Sequence, residues 1–217
     1  RDWLEYRDRG RLDTAVQAVV DTRVIIKHCV ETVCWEISES LARASTFAGY
    51  RHLFLYRGNV LDRLLSLHFA ELTGIWGSDP RTWNKTLLAA NGDPGRYMKS
   101  VVNSALELAL PVEDLVCHER HCVKLLNRAW AFLEAMDAKP VALTFEDVYQ
   151  SDNTESLLQV LGPFAGSDIV SYDTALLRSW LDSVTVIGTG EQGTRDKYNQ
   201  FSGVSELAVR LQFVASP

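Results

Sequence analysis

Arg51-His-Leu-Phe-Leu-Tyr-Arg-Gly-Asn-Val-Leu-Asp-Arg-Leu-Leu-Ser66 reads as a strand, a tight turn and an amphipathic helix. Leu53 to Tyr56 is an unbroken apolar run, the pattern of a strand covered on both faces in a parallel sheet. Asn59 can cap the following helix by accepting from an orphan backbone N–H, and Asp62 places negative charge in its first turn. Val60, Leu61, Leu64, Leu65 and Phe69 recur near a period of 3.6, and Gly74 marks the end. A helix N-terminus behind a strand is a ready anion site, and Arg57 stands at its mouth.

Upstream, residues 1–20 read as a helix with Leu4, Leu12, Ala15, Val16 and Val19 on its apolar side, interrupted at Gly10. Thr22 to His28 is a second strand candidate with Val24-Ile25-Ile26 as its buried centre, and a helix is expected from about 31 to 44. Downstream, turn signals fill residues 78–98, and helices follow at about 98–109 and 112–136. Pro111 opens the second of these, with Glu113 and Asp114 near its positive end and an apolar stripe of Leu115, Cys122, Leu126, Ala129, Leu133 and Met136. Pro140 to Phe145 is a third strand ending at Glu146-Asp147. Helices are expected at about 153–161, 173–183 and 203–213, with a polar, Gly-rich loop over 185–203. Strands alternating with helices imply βαβ crossovers. The expected fold is one α/β domain over residues 1–217, three-layered around a central parallel sheet, with a helical insertion at 78–137.

The 217 residues are enough for one substantial core, and 47% hydrophobic with 23% charged residues is the composition of a globular protein. A net charge of −6 argues against a broad nucleic-acid-binding face, because phosphate backbones reward dense Lys and Arg. No apolar run approaches the length of a membrane span. Four cysteines, at 29, 34, 117 and 122, fit a reducing compartment, so a cytoplasmic location is expected.

Tyr56-Arg57-Gly58-Asn59-Val60-Leu61-Asp62-Arg63-Leu64-Leu65-Ser66 resembles the second nucleotide motif of sulfotransferases that use 3′-phosphoadenosine 5′-phosphosulfate (PAPS). In that family an Arg after the strand and a Ser on the helix together hold the donor's 3′-phosphate, which points to Arg57 and Ser66. The family's Arg lies eight positions before its Ser; here Gly58 has that position and Arg57 lies nine before. Gly193-Thr-Arg-Asp-Lys-Tyr-Asn-Gln-Phe201 is similar to the family's closing loop over the nucleotide, making Arg195 and Lys197 candidate phosphate ligands. Val141-Ala-Leu-Thr-Phe-Glu-Asp-Val148 is like the family's strand ending in Tyr-Glu-Asp-Leu. It supports the fold, and Glu146 and Asp147 are expected to bond loop N–H groups.

The resemblance implies a P-loop NTPase-like sheet and transfer of a sulfuryl group from PAPS to a hydroxyl or amine of a small-molecule or glycan acceptor, with 3′,5′-adenosine bisphosphate leaving. Ile26-Lys27-His28 resembles the strand end that supplies the family's base, so His28 would take the acceptor proton and Lys27 would assist at the sulfate. No metal is required. Nothing in residues 1–30 matches the family's loop for the 5′-phosphosulfate, Pro-Arg/Lys-Ser-Gly-Thr-Thr, so the chain as given is expected to lack that part of the site. The alternatives are a P-loop kinase-like phosphotransferase and a non-catalytic helical interaction module.

Three patterns carry less than their spelling suggests. Gly188-Thr-Gly-Glu-Gln-Gly193 matches G-x-G-x-x-G but lacks the βαβ context of a dinucleotide site. Cys117-His-Glu-Arg-His-Cys122 has metal-ligand composition, but a helix puts Cys117 and Cys122 on different faces. Arg63 reads as an exposed helix residue.

Overall fold

The computed structural model describes residues 2–74, 104, 107–149, 198 and 201–214. Helices α1 (Asp2–Asp8) and α2 (Leu12–Asp21) are separated at Gly10, whose φ of 65° is the left-handed conformation glycine adopts without steric cost. α2 buries Val16 and Val20 beside α3 (Trp35–Phe47), which turns Ile37 and the serines Ser38, Ser40 and Ser45 inward. Ser45 donates to the Leu41 carbonyl of its own helix at 2.7 Å, and Ser40 donates across to the Asp13 carboxylate on α2 at 2.5 Å.

Thr22–His28, expected as a strand, is a turn followed by extended chain outside the sheet. Arg23 takes φ 57°, and its guanidinium donates to the Ala48 carbonyl and lies 6.0 Å from the Tyr50 ring centroid. Val24 is exposed and Ile25 fully so, at 100%. β-branched residues favour a strand only where a neighbouring strand takes their hydrogen bonds, and among the described residues none runs beside them. A single 3₁₀ turn, Val30–Thr32, follows, so α3 starts four residues later than its apolar pattern suggests.

β1 (Leu53–Tyr56) pairs in parallel with β2 (Val141–Thr144), in the register Leu53 with Val141 through Tyr56 with Thr144. Phe54 and Tyr56 share a face, and Phe54 packs on Trp130 with ring centroids 5.5 Å apart. On the other face Leu143 is buried, but Leu55 is 52% exposed. The expected coverage of this apolar run on both faces is therefore uneven. Among the described residues the architecture is mixed helix and strand with a small two-stranded parallel sheet.

Helix α4 (Val60–Thr73) begins and ends where its caps require. The Asn59 side chain accepts from the Asp62 N–H at 3.1 Å, and Gly74 closes the helix at φ 69°. The long helix α5 (Val112–Ala135) reaches its predicted length. It contributes Leu115, Val116, Cys122, Val123, Ala129 and Leu133 to the interior, so this part of the expected insertion is a central element. A five-residue helix α6 (Phe145–Tyr149) follows β2, and α7 (Val204–Leu211) closes the described chain.

The main core joins α4, the start of α5 and the chain around α7 through Leu64, Leu65, Phe69, Leu115, Val116, Tyr198, Phe201 and Leu207. Each fully buried leucine contributes roughly 1.5–3 kcal/mol of transfer free energy. Of the helix expected at 98–109, residues 107–108 form a turn, and Ala109 makes an isolated bridge to Ser202. The helices expected at 153–161 and 173–183, and the loop up to residue 197, lie outside the described residues. All four cysteines are free thiols, and no helix among the described residues is long and apolar enough to cross a membrane.

Candidate functional site

Arg57 leaves the carboxyl end of β1, and two contacts from the end of β2 meet it there. Its guanidinium carbon lies 4.4 Å from the centroid of the Phe145 ring, a cation–π stack. The Glu146 carboxylate accepts from the Gly58 N–H at 2.8 Å and the Asn59 N–H at 3.1 Å. The turn's anion-seeking amides are thus occupied by the chain's own carboxylate. Glu146 is itself placed by a reciprocal cap: Thr144 N–H donates to Asp147 at 2.9 Å, and Asp147 N–H donates to Thr144 Oγ1 at 3.0 Å. Glu146 bonds loop N–H groups, as the sequence suggests, whereas Asp147 bonds the N–H of Thr144 at the end of β2.

A Cβ at Gly58 would stand 3.2 Å from Glu146 Oε2, close enough that the carboxylate would have to give by a few tenths of an ångström.

Ser66 lies on α4 facing the returning C-terminal chain. Tyr198 lies within the electrostatic reach of Ser66 and Arg57. Burial raises the Tyr198 pKa, and Ser66 and Arg57 oppose that shift. The Tyr198 ring is fixed by Phe69, with centroids 5.0 Å apart, and Phe201 lies 5.8 Å from His68. Leu110 N–H donates to the Ser202 carbonyl at 2.9 Å and ties the same segment to the start of α5. Arg57, Ser66 and the end of the predicted closing loop therefore meet, while Arg195 and Lys197 lie outside the described residues.

The structure places His28 and Lys27 elsewhere than expected. Their segment is not a strand, so neither stands at the carboxyl edge of the sheet. The His28 ring is 3.0 Å from Ser38 Oγ on α3, and Lys27 is exposed. Burial lowers the His28 pKa, with Glu31 opposing, and keeps the imidazole neutral at pH 7. Arg63 is also not the exposed residue its sequence context implies: it pairs with Glu119, whose side chain is only 5% exposed. His118 Nε2 lies 3.4 Å from Cys122 Sγ one turn along α5, and burial raises the Cys122 pKa. Cys117 is exposed on another face of the unbroken helix.

A cavity of about 300 Å³ lies between the sheet and α5, lined by Phe54, Tyr56, Leu126, Asn127, Trp130 and Ala142. Tyr56 belongs to both features, since it lines the cavity and precedes Arg57. The site residues that sequence reasoning missed are Phe145 and the Tyr198 side chain. An aromatic inside each of these two stretches was the available signal. Compared with protein-family models, curated proteins and solved structures, the chain matches none of them.

Proposed function

We propose that this chain carries the 3′-phosphate side of the donor site of a PAPS-dependent sulfotransferase, on a sheet of the P-loop NTPase-like kind. The observation that carries the reading is the return of Tyr198, from far along the chain, to the stretch that holds both Arg57 and Ser66. A guanidinium and a hydroxyl that both act on Tyr198 suit a ribose phosphate, giving charge-assisted hydrogen bonds without a metal. Arg195 and Lys197 precede Tyr198 on the same segment and would add cations.

In the proposed reaction an acceptor hydroxyl or amine attacks sulfur in line. The bond from sulfur to the bridging phosphate oxygen breaks, 3′,5′-adenosine bisphosphate leaves with that electron pair, and the acceptor's proton passes to water. The cavity beside β1, walled by Phe54, Tyr56 and Trp130, has room for a one- or two-ring acceptor.

Calorimetric titration tests the reading. Adenosine 3′,5′-bisphosphate is expected to bind at least tenfold more tightly than adenosine 5′-monophosphate. Arg57→Ala is expected to weaken the bisphosphate about 10- to 100-fold, the cost of a lost charge-assisted bond. Absence of binding, or equal affinity for both nucleotides, rejects the proposal.

A further inference from the structure

We infer that Phe145 and Glu146 are positioning residues for Arg57: the ring supports the guanidinium, the carboxylate clamps the turn behind it, and anion recognition passes to side chains. This rests on the reading of Arg57 as a phosphate ligand and adds how that ligand is made selective.

Three independent contacts carry it. The Phe145 ring lies 4.4 Å from the Arg57 guanidinium carbon, which restricts a side chain that otherwise samples many rotamers. Glu146 bonds both Gly58 and Asn59 N–H groups, so a phosphate reaching this turn finds those amides taken. Gly58 leaves the carboxylate room without a shift, since a Cβ there would meet it at 3.2 Å. Thr144 and Asp147 hold the pair in place by their mutual cap, so the end of β2 presents ring and carboxylate as one unit.

A turn with free amides and a helix dipole binds any small anion. With Glu146 seated there, a bare anion meets a carboxylate, and an incoming phosphate must be held by the preset fork of Arg57 and the hydroxyl of Ser66. The arrangement thus favours a phosphate at one fixed position on a larger ligand over free phosphate. Binding of the bisphosphate should also depend on Arg57 lying flat on the ring, so the two contributions are coupled.

A double-mutant cycle on the full chain decides the matter, with adenosine 3′,5′-bisphosphate as probe and calorimetry as readout. Phe145→Leu and Glu146→Gln are each expected to weaken binding about three- to tenfold. Added to Arg57→Ala, neither should weaken it further, because each acts through the guanidinium. Phe145→Tyr, which keeps the ring, should restore affinity to within twofold of the original chain. Thermal melting identifies any variant that has lost the fold, and the other variant then decides.

Losses that add in full to that of Arg57→Ala would mean a merely structural role and overturn the inference, as would unchanged affinity in the single variants. Tighter binding by Glu146→Gln would mark the carboxylate as a rival anion and overturn its positioning role. Failure of the unsubstituted chain to prefer the bisphosphate sinks the parent reading instead, and this inference with it.

Discussion

Glu119 is a carboxylate on the apolar side of α5, spaced 115, 119, 122, 126 among residues that otherwise face the interior. A buried charge is tolerated only with a partner, and Arg63 from α4 supplies it. Removing one member of such a pair costs more than the pair contributes, because the survivor keeps its desolvation without its counter-charge. Glu119→Ala is therefore expected to destabilise the fold by about 2–4 kcal/mol, below the limit for a deeply buried pair because Arg63 is partly exposed. Urea denaturation measures this, with exposed Cys117→Ser as a control expected to stay within about 0.5 kcal/mol. A loss no larger than the control's would show the ion pair to be dispensable. The burial of Glu119 and its pairing with a cation were not read from the spacing on α5. Arg63 was legible only as a helix residue, because its partner lies 56 positions away in sequence.

At the scale of elements, α4 shows local chemistry setting both ends of a helix. Asn59 accepts from Asp62 N–H, and Gly74 adopts φ 69°. Asn59→Ala should cost about 1 kcal/mol through the lost cap, and Gly74→Ala about 1–2 kcal/mol through a left-handed residue bearing a Cβ. The two ends lie roughly 20 Å apart at 1.5 Å per residue, so the losses should add. Thermal melts of the two single variants and the double variant check this, and strong non-additivity would contradict independent caps. Only Asn59→Ala should also weaken bisphosphate binding, since it disturbs the turn that presents Arg57. Thr22–His28 shows the opposite case. Val24-Ile25-Ile26 has strand-forming residues, yet the turn at Arg23 and its bond to Ala48 send the chain past α3 instead. Helix caps act within four residues, whereas a strand depends on a neighbour that its own residues cannot specify.

For the whole molecule, four histidines share one electrostatic condition. His28, His52, His68 and His118 all have pKa values lowered primarily by burial. Each is neutral in the fold, whereas the unfolded chain takes up protons near the ordinary value of about 6.5. Between the lowered folded values and that value the unfolded state binds more protons, so stability rises with pH there. It is complete above about pH 7 and is lost as the pH falls through about 6.5. Denaturant midpoints at pH 7.5 and pH 5.5 should therefore differ, lower in acid, with an unchanged m-value. A midpoint independent of pH over this range would contradict neutral burial of these rings.

The breaks at Gly10 and Gly74, the cap at Asn59, the strand at Leu53–Tyr56 and the length of α5 were all readable from residue order. Each depends on interactions within one turn or on one stripe of side chains, which neighbouring residues control. So was the tendency of Glu146 and Asp147 to seek backbone N–H groups. Folding of the whole chain settled the rest: that Glu146 fills the turn behind β1, that Phe145 lies against Arg57, that Tyr198 returns to Ser66, and that Lys27 and His28 stay with α3. Those contacts join positions tens to more than a hundred residues apart, and their geometry depends on how buried surfaces pack together. Packing of that kind is a property of the assembled core, and no local pattern of residues encodes it.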